Sequence, residues 1–269
     1  MATRKWLLRQ NRDMKKASEA EEIFDGEKPP KIFNWTLPAL TVHLPGRDAI
    51  RVCKQADACV SLCYARTGTY MFSNVRAHHI KNLLMVVDSL PEWEAAMADE
   101  LRHKRYANAA IRIHDSGDFL SADYLNAWVR IMRGAPGIRF YCYTKEVALI
   151  REHVEPDPPS NFRWCFSLGG KQDHLLDLRV ERHADVFPDE ESIIEAGYSS
   201  QTRSDLLAVD GPPHVGIPAN NIRHLRKRQG HRSFGQIEAD LRSARKARRA
   251  GTDPRSPHSQ SAPDQEEDA

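Results

Sequence analysis

The alternation of two hydrophobic periods through the middle of the chain constrains its fold more than any other feature. Across residues 92–104, Trp93, Met97 and Leu101 recur four apart, the spacing of one apolar helix face. Ala109-Ala110-Ile111-Arg112-Ile113 then reads as a short strand, His114-Asp115-Ser116-Gly117-Asp118 as a polar turn, and residues 122–133 as a helix with Tyr124, Trp128 and Ile131 inward. The unit recurs with a strand at 138–143, a helix at 146–153 and a strand at 162–166 running into Gly169-Gly170, and residues 214–217 form a late strand. Strands separated by helices pair in parallel through right-handed crossovers. The expected class is therefore α/β, a parallel, partial β/α barrel of TIM-like kind. Such folds place their reactive groups after strand C-termini, which singles out residues 114–118, Thr144-Lys145, Gly169-Gly170 and Pro218-Ala219-Asn220-Asn221.

At 269 residues the chain can bury a core without disulfides. No apolar run approaches the ~18 residues of a membrane span. Residues 1–16 mix Arg, Lys, Asp and Asn around a brief Trp6-Leu7-Leu8 patch and lack the apolar core of a secretory signal, so a cytoplasmic location without membrane contact is expected. Residues 1–30 read as a polar arm closed by Pro29-Pro30, 31–235 as the catalytic domain, 236–250 as a basic helix, and 251–269, built of Pro, Ser, Gln, Asp and Glu, as a disordered tail. Within 223–249, ten Lys or Arg stand against Glu238 and Asp240 alone. That asymmetry fits a nucleic acid partner, DNA in preference to tRNA, or simply a solvated helix face.

Five cysteines is an odd count, and Cys53, Cys59 and Cys63 crowd into eleven residues, poor geometry for a secreted disulfide framework and good geometry for a metal. Neither hydrophobic period runs through them, so a loop is expected. Structural zinc takes four ligands; three thiolates either recruit a group such as His43, His78 or His79 or leave a position open for chemistry. Spacing alone does not separate zinc from iron–sulfur, and three unrelated buried cysteines is the plain alternative. Cys142 and Cys165, inside apolar strands, read as small core residues.

Taken together, Cys59-Val60-Ser61-Leu62-Cys63-Tyr64-Ala65-Arg66, Ile111-Arg112-Ile113-His114-Asp115-Ser116-Gly117-Asp118-Phe119, Phe140-Tyr141-Cys142-Tyr143-Thr144-Lys145 and Gly216-Ile217-Pro218-Ala219-Asn220-Asn221 resemble the "gene product 88" family of mycobacteriophages and actinobacteria, over residues 35–235. The order of features is also similar to that of radical S-adenosylmethionine enzymes: clustered cysteines ending in Cys63-Tyr64-Ala65, a strand closed by a Gly-acid pair, and a late Gly-x-Ile-Pro strand. That resemblance implies a partial β/α barrel and a [4Fe-4S] cluster on Cys53, Cys59 and Cys63 whose fourth iron binds S-adenosylmethionine. Asp118 would face the amino group, with Gly117, Gly169, Gly170 and Asn220 around the cofactor. Those enzymes space their cysteines by three and two residues with an aromatic before the last, whereas here five and three intervene and Tyr64 comes after.

A second resemblance starts from the same turn. Residues 114–119 are similar to the Asp-Ser-Gly-Gly-Phe loop of tRNA-guanine transglycosylases and their phage DNA-modifying relatives, which are also β/α barrels with a thiolate metal. It implies that Asp115 or Asp118 attacks the sugar C1′ while the other handles protons, that a deazaguanine replaces guanine, and that Zn2+ sits on the cysteines. In that family the zinc cysteines follow the barrel; here they precede it.

Read from the residues alone, Asp115 and Asp118 stand three apart after a strand, where a close pair splits into an acid and a base, or else they cap a turn and a helix. Lys145 meets a carboxylate, a phosphate or solvent. Gly169-Gly170 admit a ligand or make a turn, and Asn220-Asn221 read a base edge or cap a helix. Three functions follow, in order. The first is a nucleic-acid-modifying radical S-adenosylmethionine enzyme in a bacterial or phage-infected cytoplasm, with Asp115, Asp118 and Lys145 as catalytic candidates. The second is a base-exchange transglycosylase, and the third a non-catalytic zinc protein that binds nucleic acid through residues 223–249.

Overall fold

The computed structural model describes residues 6–17, 29–219 and 222–250. In chain order the elements are α1 (Arg12–Ala17), β1 (Ile32–Trp35), the short antiparallel pair β2 (Thr41–Val42) and β3 (Ile50–Arg51), α2 (Ala58–Leu62), α3 (Ser73–Asp88), α4 (Leu90–Leu101), β4 (Ala110–Ile113), α5 (Ala122–Arg133), β5 (Arg139–Thr144), α6 (Val147–His153), β6 (Phe162–Ser167), β7 (His183–Phe187), α7 (Glu190–Glu195), β8 (Ser199–Ser200), α8 (Leu207–Asp210), β9 (His214–Pro218), α9 (Arg223–Gln229) and α10 (Phe234–Arg249).

Seven strands form one sheet in the order β1-β4-β5-β6-β7-β9-β8, and every pairing is parallel. From β1 to β7 the order across the sheet follows the order along the chain, each crossover stepping one place the same way; the chain then skips to β8 at the far edge and returns to β9 between β7 and β8. The strand C-termini line one rim. Among the described residues no pairing joins β1 to β8, so the α/β sheet is open and the ring closure of a TIM barrel is not made.

Alternation along the strands sorts side chains onto two faces. Phe33, Trp35, Ile111, Ile113, Phe140, Cys142, Phe162 and Phe166 share a core with Trp93, Met97 and Leu101 of α4 and Tyr124, Trp128 and Ile131 of α5. The other face, with Ile32, Ala110, Tyr141, Cys165, Ala184 and Val215, is covered by Met14 and Ala17 of α1 and by Leu206, Ala208 and Val209 at α8. Each large side chain so buried contributes roughly 1.5–3 kcal/mol of transfer free energy. The inward faces expected for α4 and α5 are the buried ones, and Cys142 and Cys165 are core residues. Residues 6–17 are no separate arm: Arg9 bridges antiparallel to Asn34, and Leu8 and Met14 are buried.

Helix ends follow local chemistry. Ser121 caps α5 by accepting from the Tyr124 amide, with Asp123 in the first turn and Arg130 and Arg133 in the last, where each charge complements the helix dipole. Ser233 and Gln236 form a reciprocal capping box at α10.

Candidate metal and cofactor site

The cysteine segment leaves β3 and lies across the strand C-termini. Cys53 is fixed to the residues after β1: its amide donates to Leu40 O at 3.1 Å, and its Sγ accepts from Leu40 N at 3.2 Å. Further on, Asp57 N and Cys59 N both donate to Gly169 O at 3.3 Å, and Lys171 N donates to Gln55 O at 2.8 Å, so the segment pairs with the turn after β6. Gly170 makes this approach possible, since a Cβ there would stand 3.0 Å from Gln55 O and 3.0 Å from Lys145 Cδ. Gly170 thus makes room for the chain's own loop, at a pair that the sequence read as a ligand contact or a turn.

The segment is not irregular throughout, because Ala58–Leu62 closes into α2. The helix forms because α10 covers it. Ala58 and Leu62 pack on Phe234 and Ile237, Glu238 Oε2 accepts from Ala58 N at 3.2 Å, and Arg245 spans Asp57 and Glu238 at 2.7 Å each. Arg228 of α9 adds a bond to Ser61 O at 2.7 Å. Arg228, Arg245 and, on Asp240, Arg232 are among the basic residues at 223–249 that hold protein partners.

Cys53, Cys59 and Cys63 are free and half-buried, and they lie within one another's field. Burial pushes all three thiols up, and the Asp118 carboxylate adds to this at Cys53 and Cys59, while the Lys145 ammonium pulls Cys59 and Cys63 down. Among the described residues no three His, Cys, Asp or Glu side chains gather tightly enough for a single ion, so no such group includes His43, His78 or His79.

Asp115 and Asp118 hold separate sets of hydrogen-bond partners. Asp115 Oδ2 accepts from Tyr70 OH at 2.7 Å and Asn11 Nδ2 at 3.1 Å, and Arg112 stands 3.7 Å from its other oxygen. Asp118 is buried and accepts from Thr144 Oγ1 at 2.7 Å, Lys145 N at 2.9 Å and Phe119 N at 2.9 Å. Burial raises its pKa, and those donors oppose the rise. Gly117 separates the two acids at φ +91°, and a Cβ there would sit 2.7 Å from Leu37 Cβ, so its glycine is demanded by backbone and packing.

Lys145 reaches across to β6, donating to Ser167 Oγ at 2.6 Å, Leu168 O at 2.9 Å and Ser167 O at 3.0 Å. His114, at φ +65°, bonds Tyr124 OH at 2.9 Å, and burial pushes it down to about 3, making it a neutral core histidine. Asn220 and Asn221 lie outside the described residues.

Sequence reasoning missed several participants. On the sheet face beneath α1 and α8, Arg112 pairs with Asp205 at 3.0 Å, Tyr141 OH donates to Asp205 at 2.6 Å, and the guanidinium lies 5.1 Å from the Tyr143 ring. Tyr64 OH joins the cysteine segment to this network through Asp115 O at 2.5 Å. Asp173 closes the glycine turn, accepting from Gly169 N at 2.7 Å and Gly170 N at 3.0 Å. Glu146 is buried behind the cysteine segment; burial first, then the Asp118 carboxylate, pushes it up to about 7. Its place right after Lys145 at a strand end was the available signal.

Fold and site together define an open, sequentially ordered parallel α/β sheet with a cysteine loop laid across its C-terminal rim. The model of the family described as Gene product 88 matches residues 6–252, and the chain belongs to that family. It is 30% identical over 116 residues to the Gene 88 protein of Mycobacterium phage L5, covering 40% of this chain and 48% of that one. To the Gene 88 protein of Mycobacterium phage D29 it is 30% identical over 126 residues, 44% and 52% of the two chains. The chain thus spans about half the length of these curated relatives. No solved structure matches it. Among the described residues no helix is long and apolar enough to cross a membrane.

Proposed function

We propose that this chain is a nucleic-acid-modifying metalloenzyme of the radical S-adenosylmethionine type, on a partial β/α barrel. One observation carries the reading: the loop bearing Cys53, Cys59 and Cys63 follows the first strand of a sequentially ordered parallel sheet and docks by backbone bonds on the turn after β6. Three thiols that feel one another on the strand rim are a donor set suited to a cluster with one position left open. Bound there, a [4Fe-4S] cluster supplies one-electron reduction of S-adenosylmethionine.

The chain's own residues do the rest. The Gly169-Gly170 turn, tied by Asp173, sets the height of Cys59 above the rim, and Lys145 fixes the neighbouring strand ends and favours the thiolates of Cys59 and Cys63. The exposed half of α10, with Arg242, Lys246 and Arg249, offers cations to a phosphate backbone. The base-exchange reading draws no support from the geometry, because it needs two acids on one substrate and Asp115 and Asp118 belong to separate networks.

The test is iron and sulfide content with an absorption spectrum on protein purified without oxygen, comparing the native chain with Cys59→Ala. Iron, sulfide and broad absorbance near ~400 nm, all lost in the variant, are expected from thiolate ligation. One colourless zinc per chain would refute the proposal.

A further inference from the structure

Residues 58–87, from α2 to the end of α3, contain no Asp or Glu in a chain that holds 37 of them, and they carry the cations Arg66, Arg76 and Lys81. The fold gathers the rings of this segment into a row. Tyr64 and Tyr70 stand 5.5 Å apart by their centroids, Tyr70 and His79 5.8 Å, and His79 and His78 6.1 Å, so the row runs from the residue after Cys63 into α3. Two of its members are anchored, Tyr64 OH donating to Asp115 O and Tyr70 OH to Asp115 Oδ2. The other two are neutral rings. Burial first, then the Arg9 guanidinium, pushes His78 down to about 4, and burial lowers His79 as well.

Positive charge stands at both ends of the row. Arg66 acts on Cys63 at one end, while at the other Arg9 acts on both histidines and Lys81 on His78. Among the described residues none of Arg66, Arg76 and Lys81 makes an ion pair, and the first acid past the run, Asp88, is held by Arg47 at 2.9 Å. Between the ends the surface is apolar, with Met71 53% and Phe72 59% exposed. The Phe72 backbone is fixed, since its amide donates to Thr69 O at 3.2 Å and its carbonyl accepts from Arg76 N at 2.9 Å, but its ring faces solvent. One exposed apolar side chain is ordinary. One set among cations and fixed rings, in a run without acids, matches the pattern that binds unpaired nucleobases, with phosphates on the cations and bases on the rings.

We propose that this surface, centred on Phe72 and bounded by Arg66 and Arg76, is a stacking site for single-stranded nucleic acid that leads a strand toward the cysteine segment. The inference rests on the reading above only in taking nucleic acid as the partner; its place is distinct from the cations of α10. A duplex keeps its base faces stacked on one another, so the exposed phenyl distinguishes the single strand. An anionic membrane would also attract the cations, but it takes up side chains that can swing outward. Tyr64 and Tyr70 are tied inward by their hydroxyls, and a ring already fixed is what a base stacks on at least entropic cost.

The experiment is fluorescence anisotropy on the full-length protein, native, Phe72→Ala and Phe72→Trp, with a labelled oligothymidylate of about 12 nucleotides and with its oligoadenylate duplex. Loss of one base stack is expected to weaken the single strand about 5- to 100-fold in Phe72→Ala, with duplex binding unchanged and Phe72→Trp restoring native affinity. Replacing Arg66 and Arg76 together by alanine should lower the salt slope for the single strand by about 1.4. Equal single-strand affinity in the native protein and Phe72→Ala would overturn this inference alone. Equal weakening of single strand and duplex would also overturn it, showing that Phe72 merely shapes the fold. So would binding to phosphatidylglycerol vesicles in place of the single strand, lost in Phe72→Ala, which would assign the surface to a membrane. A native protein that binds neither oligonucleotide would sink the nucleic-acid reading, and this inference with it.

Discussion

Replacing Glu238 by alanine should loosen the cysteine loop without loosening the sheet. The Glu238 side chain is 4% exposed and serves two groups, the Ala58 amide at 3.2 Å and Arg245 at 2.7 Å. Truncation leaves a buried first-turn amide of α2 without its acceptor, at a cost of about 1–3 kcal/mol. Arg245 is 45% exposed and keeps Asp57, so the lost ion pair adds at most about 1 kcal/mol. The sum is about 2 kcal/mol, and at about 1.4 kcal/mol per tenfold it raises the opened population of the loop about 30-fold. Hydrogen exchange read by mass spectrometry resolves this. Peptides over 54–63, where the Cys59 amide is bonded to Gly169 O, should exchange about 30-fold faster, and peptides over β5 should be unchanged. Glu238→Gln keeps an acceptor for Ala58 and loses only the charge, so less than about a fivefold effect is expected. Equal acceleration in loop and sheet would show that Glu238 supports the whole fold, and no acceleration would show that α10 does not hold the loop.

Other perturbations reach other links. His114, pushed down to about 3, stays neutral in the folded chain while its unfolded counterpart takes up a proton below about 6.5, so stability should fall as pH drops from about 6.5 toward 3. In His114→Asn, a residue that tolerates the left-handed backbone, urea unfolding between pH 6 and 5 should lose about 1 kcal/mol per pH unit less than the native chain does; an identical slope would refute the assignment. Gly170→Ala should cost about 1–3 kcal/mol in the same assay, because the new methyl meets Gln55 O, and an unchanged midpoint would mean that the loop does not dock there. Replacing Arg242, Lys246 and Arg249 together by alanine should lower the salt slope of oligonucleotide binding by about 2–3, with an unchanged slope placing the interface elsewhere.

Much of this was legible where one signal dominated. The α5 bounds match the reading because an inward face of Tyr124, Trp128 and Ile131 coincides with a Ser121 cap and a Gly134 stop. The β7 strand escaped because His183 and Asp185 interrupt its apolar run; both are buried, His183 bonded to Tyr198 at 2.7 Å and Asp185 to the Gly235 amide at 3.0 Å. The α2 helix escaped because its acceptor, Glu238, lies 180 residues away, where no local pattern reaches. Asp115 and Asp118, three apart, read as a close pair or as caps, and their actual partners, Tyr70 and Asn11 for one and Thr144 and the Lys145 amide for the other, come from segments that no local spacing reveals. Arg112 read as a strand residue of no account because its partner, Asp205, is 93 residues on.

These long-range contacts bear on how metal and fold are coupled. In a small zinc domain the metal supplies the folding free energy, and losing a ligand unfolds the chain. Here the loop is positioned by Gly169 O, Lys171 N, Leu40, Glu238 and Arg228, none of which is a thiol, and the sheet beneath it has its own two apolar cores. The burial that pushes the thiols up favours their protonated form in the bare chain, so on the proposed reading a metal would have to displace those protons to bind. Cys59→Ala should therefore abolish metal retention while shifting the urea midpoint by no more than about 1 kcal/mol of stability, the scale of a small side-chain change at a half-buried site. If the variant instead unfolded along with its loss of metal, the loop would owe its position to the cluster, and the backbone bonds to Gly169 would be its consequence.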